Sequence, residues 1–551
     1  MTCILSGGRI QQNEDFVPGV LIELGAEILH GDGTELTKFA IQENRKLEKM
    51  YCWAHGDGGP DLAPENGLYG LYFIGSEDGA EDGSINASRS DRLLRFDDLD
   101  QDFVSLNTAL WNLSELDHEK FSLSTSLKDF LQTQKFSPRM IDMANAGFAN
   151  TLCANIEELS LAQSIRWTNL WSDTTTDDSS KEQLAEETNA LHIDRTIKEI
   201  DVIPPKLDDK HSGEYRFVDS YACLINHLSC KNWQHPPFSI LTNCPVSLVD
   251  STYNTSEDDS QPVHRVYLKS GGAPYLTRTV VCTASPQVLL QNDLISFQPP
   301  LPEEKLEACR SVKMNVAMKI ILKFSSLAWP PKLQGMIFAG ADCMLPEVWF
   351  RDVSELLSNE TERDEQSSGD KVAGYCVGFA TSKYAEAILA LQDEEVIFKA
   401  LLCQLDRAFS MLTARHMTGE LSSSSESMES VQKMPPLPSD VFLGGIIKKW
   451  SPETHPYIGG GYCSPKVGGA INYGCGLAEP CGPNNSIFFA GEATNDTRPG
   501  ATAHRYDDDF LSCVANVDDR IALLFSNCLR SALETGLRAA SQVSRYLQSL
   551  K

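Results

Sequence analysis

At 551 residues the chain exceeds what one ordinary core holds, so two or three domains with room to bury a large ligand are expected. Its 76 acidic against 47 basic side chains leave a formal charge of -29, a field that repels nucleic acid and anionic membrane and draws in cations. Neither nucleic acid nor a membrane is therefore expected as a partner; a small cationic substrate or a basic peptide fits, although the same excess also serves plain solubility.

Sixteen cysteines run from Cys3 to Cys528 without a Cys-x-x-Cys pair. That spacing argues against a zinc ribbon, an iron–sulfur site or a thioredoxin motif, so no metal is expected and the thiols read as reduced. The opening "MTCILSGGRIQQ" has no basic region and no sustained apolar stretch, and no window reaches the roughly 18 apolar residues of a membrane helix. The final "SLK" is not the Ser-Lys-Leu peroxisomal address. A soluble, cytoplasmic protein is expected.

In chain order, "GGR" at Gly7 to Arg9 reads alone as a turn, and "GAEILHG" at Gly25 to Gly31 as a strand end with an incidental histidine. Four segments, 75–91, 172–188, 358–371 and 418–433, are rich in Ser, Asp and Glu and poor in apolar residues, which marks them as surface loops. "RTVVCTA" (278–284) and "MKIILKF" (318–324) are strand-like. In the second, alternation puts Ala317, Lys319, Ile321 and Lys323 on one face, read from pattern alone as a row facing solvent. "EEVIFKALLCQLDRAF" (394–409) is helical, with Val396, Ala400, Cys403 and Leu405 on its apolar side. "GCGLAE" at Gly474 lacks a third glycine and a preceding strand, so it is set aside as a dinucleotide motif. "IFFAGEATNDTRPGATAHRY" (487–506) is an apolar run stopping at a polar Gly- and Pro-containing loop, as a strand does when it delivers its C-terminal end to a ligand. "SALETGLRAASQVSRYLQSL" (531–550) is a helix with Leu533, Leu537, Ala540, Val543 and Leu547 in one stripe. Mixed strands and helices with long interleaved segments predict an α/β core with an inserted second domain.

Taken in order, "SGGRIQQ", "VLIELGAEILHG", "VVCTASPQVLLQNDLISFQPPLPEEKLEA", "MKIILKFSSLAWP", "KKWSPETHPYIGGGY", "IFFAGEAT" and "SALETGLRAA" resemble the FAD-dependent amine oxidases, most closely their polyamine oxidase branch. The resemblance implies an FAD-binding Rossmann-type domain from about 1–45, 205–310 and 440–551, and an inserted α+β substrate domain from about 46–204 and 311–439. It implies cofactor contacts from Gly8, Arg9, Gly25, Ala26, Gly491 and Glu492, and a catalytic role for Lys319, matching a lysine that reaches flavin N5 through a water. It also implies a catalytic place for His30 near the substrate, and Tyr462 as one aromatic wall of the amine site with Thr502 at the position of the other, which leaves the cage half open. An arginine suits a pyrophosphate, and an aromatic wall suits an alkylamine. The implied activity is oxidation of an amine, with molecular oxygen as the second substrate and hydrogen peroxide as a product. A histone-lysine demethylase-like oxidase and a truncated, non-catalytic binding protein are the alternatives.

Two departures accompany the resemblance. The family's Gly-x-Gly-x-x-Gly unit takes roughly 30 residues, whereas Gly-Gly-Arg here starts at residue 7. The FAD-binding domain is therefore expected to be incomplete at its N-terminus, and this chain by itself to bind FAD poorly. Residues 505–530 form an insert before the last helix.

Overall fold

The computed structural model describes residues 8–30, 40, 43–51, 68–75, 91–95, 100–166, 214–218, 220–223, 240–252, 264–357, 371–417, 435–494 and 528–550. The four acidic segments, apart from their end residues Gly75, Asp91 and Lys371, lie outside that set, as do Thr502 and most of the insert.

A seven-stranded sheet forms the largest layer. Its order is Phe442–Trp450, Ala317–Phe324, Gly374–Thr381, Glu347–Asp352, Leu333–Ala339, Tyr69–Ile74 and Arg92–Leu94. Every pairing is antiparallel except Leu333–Ala339 with Tyr69–Ile74. The predicted strand "MKIILKF" is thus real and internal, with partners on both sides. Phe442–Trp450, assigned from sequence to the cofactor half, hydrogen-bonds within this sheet.

Both faces of the sheet are covered, because the central strand is apolar on both sides. Met318, Ile320, Leu322 and Phe324 pack with Ile397, Leu401, Leu405, Ala408 and Leu412 of the helix Glu394–Met417. That buried stripe differs from the one expected. Leu405 belongs to it, but Val396 and Cys403 are exposed. The bulkier Ile397 and Leu401 take the sheet side, and the i, i+4, i+8 row they begin is the one that fits the flat strand surface. On the opposite face, Ile321, Trp349, Tyr375 and Val377 are covered by Val17, Val20, Ile22 and Leu24. A helical layer, Gln101–Trp111, Leu127–Thr133 and Pro138–Ala144, packs on Tyr72, Ile74, Ile337 and Ala339. Its second helix starts at a capping box in which Ser126 and Asp129 satisfy each other's backbone amides.

The second region is built around a short parallel pair, Val280–Cys282 with Ile487–Phe489. Beside it lies a four-stranded sheet ordered Tyr275–Thr277, His264–Leu268, Val246–Asp250 and Ser296–Gln298. The set-aside "GCGLAE" lies in the helix Tyr473–Ala478 up to its C-cap Glu479, not in a strand-to-helix turn. The last helix runs Cys528–Ser549. Its described buried residues are Thr535, Ala539 and Ser541, whereas Leu547 is 37% exposed, so the expected stripe does not reach the C-terminal end. Thr535 and Arg538 account for this: the helix docks through polar contacts to the turn after Phe489.

Candidate active site

The strand Ile487–Phe489 ends as the sequence predicts, at a tight turn. Ala490 N donates to Cys282 O at 3.1 Å, closing the parallel pair, and the chain then enters Gly491 with φ of +131° and a short helical turn over Glu492–Thr494. The last helix fastens this turn. Thr535 Oγ1 lies 3.1 Å from Gly491 N, and Arg538 donates to Phe489 O at 2.7 Å and to Thr494 O at 2.8 Å. The C-terminal edge of parallel strands is where α/β folds present ligand-binding groups.

Glu492 points from this turn to Arg9. The guanidinium Nη1 lies 3.2 Å from Glu492 Oε1 and donates to Gly461 O at 2.7 Å, and Cys463 N donates to the same carboxylate oxygen at 3.2 Å. Arg9 also binds the Gly25 segment through its backbone, since Ala26 N donates to Arg9 O at 3.1 Å. Gly25 is required there: a Cβ on it would stand 1.9 Å from Arg9 O. Gly460 is a second such point, with φ of +154° and Asn315 O only 2.8 Å from where its Cβ would be. Five of the six residues expected to touch the cofactor, namely Arg9, Gly25, Ala26, Gly491 and Glu492, therefore converge through direct contacts or one shared turn. Gly8, with φ of +66°, precedes Arg9 in a turn.

Lys319 does not face solvent. It is 7% exposed, because residues 17–24 lie across its face of the sheet. An ammonium there needs partners. Nζ donates to Glu27 Oε2 at 2.7 Å and to Glu23 O at 3.0 Å. Lys323, on the same face, donates to Phe16 O at 3.0 Å and sits 4.6 Å from the Phe16 ring centroid. The row of alternating residues is real, but it is an interior one.

Glu27 and Glu23 were not singled out from the sequence, although two carboxylates four apart in the apolar "VLIELGAEILHG" are the signal that could have found them. Burial alone would push Glu27 up, yet Lys319, Arg351 and Arg216 pull it down to about 2. Its Oε1 lies 3.3 Å from Arg351 Nη2 and 4.0 Å from Arg216 Nη1. Arg216 is in turn paired to Glu48 at 2.5 Å. Glu23 behaves in the opposite way: burial raises it to about 7, offset only in part by the nearby Ser220 hydroxyl, by its bond from Tyr221 N and by Lys319. Oε1 takes that amide at 2.7 Å, and Oε2 has no partner among the described residues. A cavity of about 20 Å³, lined by Glu23, Glu27, Arg216, Ser220, Tyr221 and Tyr375, adjoins them, a volume that suits one water molecule.

Tyr462 packs with Ala317, Trp450 and Phe379, and its hydroxyl donates to Thr151 O. Phe379 is the cross-strand partner of Lys319 on one side and of Glu347 on the other, so Tyr462 lies along the same face as Lys319. Glu347 is a further buried acid missed from sequence; it accepts from Trp349 Nε1 at 2.6 Å and from Asn150 Nδ2 at 3.4 Å. His30 is held by its backbone opposite Glu214 in a short antiparallel sheet. Thr502, the other expected wall, lies outside the described residues. Among the described residues no group of His, Cys, Asp and Glu is arranged to hold a metal, and no helix is long and apolar enough to cross a membrane.

The sequence pattern of the flavin containing amine oxidoreductases matches residues 6–505. The chain belongs to that family. Among curated relatives of this amine oxidoreductase, the human lysine-specific histone demethylase 2 is 26% identical over 305 residues, 52% of this chain and 32% of the relative. The human peroxisomal N(1)-acetyl-spermine/spermidine oxidase is 29% identical over 217 residues, 36% of this chain and 35% of the relative. The chain thus spans about a third of the length of these relatives. Among solved structures, an engineered putrescine oxidase superposes with a TM-score of 0.58 at 14% identity, over 98% of this chain and 91% of that one. Cyclohexylamine oxidase from Brevibacterium oxydans gives 0.58 at 15% identity, over 98% and 92%. The fold is that of an amine oxidase, with flavin and substrate regions, and the family's cofactor is FAD.

The residues at the strand end fit such a cofactor. A half-buried guanidinium, a carboxylate at the C-terminal edge of a parallel pair, and small residues at 25, 26 and 491 give the charge, the acceptor and the close backbone approach that a dinucleotide needs.

Proposed function

We propose that the protein oxidises a di- or polyamine at the carbon beside its nitrogen, giving an imine that water hydrolyses to an aldehyde, with oxygen reduced to hydrogen peroxide. When bound, FAD supplies the redox chemistry by accepting the hydride and passing the electrons to oxygen. In this reading Arg9 and Glu492 bind the cofactor, with Gly8, Gly25, Ala26 and Gly491 giving it close backbone approach. Lys319 is the catalytic residue, holding a water and its proton at the edge of the flavin region. Tyr462 and Thr502 flank the amine, and His30 lies at the substrate end. The flavin half comprises about 1–45, 205–310 and 440–551 and the substrate half about 46–204 and 311–439, with the strand Phe442–Trp450 of the first hydrogen-bonded into the sheet of the second.

The observation that carries the reading is the state of Lys319. A lysine has three N–H donors, and two are spent on Glu27 and Glu23 O. Among the described residues, one donor is left on an ammonium that is almost wholly buried beside the segment bearing Gly25 and Ala26. A purely structural ion pair gains little from such placement, since apolar residues of equal volume commonly do as well. The charge of -29 supports a polycation over a neutral amino acid, as does the likeness to an acetylspermine oxidase. The likeness to a histone demethylase supports a second reading, in which the amine is a methylated lysine in a basic peptide.

The test is turnover of spermine, acetylated spermine, a dimethyl-lysine peptide, a monoamine and a neutral amino acid at low and high salt. The polyamines are expected to lead, with an advantage that shrinks as salt rises. Preference for the peptide would favour the second reading, and preference for the amino acid would overturn both.

A further inference from the structure

The charges around Lys319 are arranged asymmetrically. Glu27 divides its two oxygens: Oε1 faces the guanidiniums of Arg351 and Arg216, and Oε2 alone meets Lys319. Those guanidiniums are themselves tied down. Arg351 Nη1 donates to Phe350 O at 3.0 Å, and Arg216 Nε donates to Glu48 Oε2 at 2.6 Å. They come from different strands, Glu347–Asp352 and Glu214–Phe217, with Glu48 on a third. The Glu27 carboxylate is therefore pinned from three directions, and the ammonium it grips cannot swing about its flexible stem. The same few residues set the Gly25 turn, because Trp450 Nε1 donates to Leu24 O at 3.1 Å and Lys319 bonds Glu23 O.

We propose that Glu27 is a positioning residue for Lys319, fixing the direction of the one ammonium N–H that its own oxygen and Glu23 O leave unbonded among the described residues. The inference rests on the reading that Lys319 acts at the flavin. Its physical content is that a group two bonds removed from the chemistry sets the rate by orienting the group that takes part. The remaining titratable groups facing Glu27 are Lys319, Arg351, Arg216, Tyr375 and Glu23. Among the described residues none but Lys319 bonds Oε2.

The experiment is a double-mutant cycle of Glu27→Gln and Lys319→Met, read as the rate of amine-driven flavin bleaching in protein reconstituted with excess FAD. Lys319→Met alone should slow bleaching by about 100-fold. Glu27→Gln should slow it by about 10-fold when Lys319 is intact and by less than about twofold when Lys319→Met is already present. Because Glu27→Gln takes the carboxylate from Lys319 and Arg351 in the interior, Glu27→Asp is made beside it. That variant keeps the charge that holds both guanidiniums but withdraws the carboxylate by one methylene, so it should fold and still slow bleaching. A second readout needs no flavin. Acylation of Lys319 by acetic anhydride in the cofactor-free protein, followed by mass spectrometry, should be several-fold faster in Glu27→Asp than in wild type. Equal cost of Glu27→Gln with and without Lys319, or wild-type rates and acylation in Glu27→Asp, would overturn the positioning role while leaving Lys319 in place. An unchanged bleaching rate in Lys319→Met would overturn the reading beneath it as well, and that pattern is distinct.

Discussion

Glu23→Gln is the substitution whose effect can be worked furthest from the structure. Gln is nearly isosteric with Glu, and its side-chain carbonyl can still accept from Tyr221 N, now at 2.7 Å from Oε1. What it loses is the ability to ionise. The carboxyl rises from its ordinary 4.5 to about 7 on burial, so the folded protein holds a proton that the unfolded chain has already released. Stability from this group is therefore fully present below pH 4.5 and is lost as pH rises toward 7. At about 1.4 kcal/mol per pH unit the loss is about 3 kcal/mol, a large share of a net stability of about 5–15 kcal/mol. Glu27 does not interfere. Pulled down to about 2, it stabilises increasingly between pH 2 and 4.5 and is constant above. The assay is urea unfolding of both proteins at pH 4.5 and pH 8. Wild type should lose about 3 kcal/mol more than Glu23→Gln across that interval. Equal losses would show that Glu23 is ionised at neutral pH, and that its unpartnered oxygen is solvated or paired in solution.

Gly25→Ala should cost at least about 3 kcal/mol and abolish FAD binding, since overpacking by one methyl commonly costs about 1–3 kcal/mol and here the obstacle is backbone at 1.9 Å. Gly8→Ala, with open space around its Cβ but φ of +66°, should cost only about 1–2 kcal/mol; thermal unfolding and flavin titration check both. Lys323→Met removes a bond to Phe16 O and should cost about 1 kcal/mol with no change in flavin bleaching, so slowed bleaching would count against confining the chemistry to Lys319. Lys305, which donates to Gly476 O and Leu477 O at 2.9 Å, is lowered by burial to about 8. Its folded form releases the proton before the unfolded chain does, so wild-type stability should rise between pH 8 and 10.5, and Lys305→Met should flatten that rise.

The elements that the sequence makes legible are those with a strong local signal. "MKIILKF" and the strand Ile487–Phe489 form as predicted because β-branched and aromatic runs bounded by polar turns have few alternatives. The convergence of Arg9, Gly25, Ala26 and Glu492 was legible only through family resemblance, since Glu492 reaches Arg9 across more than 400 positions of chain. Alternation correctly grouped Lys319 with Ile321 and Lys323 but could not say what covers that face. The cover is residues 17–24, and no local pattern in either segment names the other. The helix Glu394–Met417 shows the same limit, since its periodicity allows adjacent stripes and only the sheet chooses between them. The buried charge cluster was hidden for a related reason. Glu27, Lys319, Arg351, Arg216 and Glu48 come from five separate segments, and each alone looks like a surface residue.

The most direct measurement of the central claim is anaerobic mixing of FAD-loaded protein with spermine, followed by flavin absorbance in a stopped-flow cell, for wild type and Lys319→Met side by side. Amine oxidation with Lys319 at the flavin predicts that spermine bleaches the wild-type flavin, and that Lys319→Met, still folded and still yellow, bleaches about 100-fold more slowly. A bound flavin that no amine bleaches would contradict the activity, and equal bleaching rates in the two proteins would remove Lys319 from the chemistry.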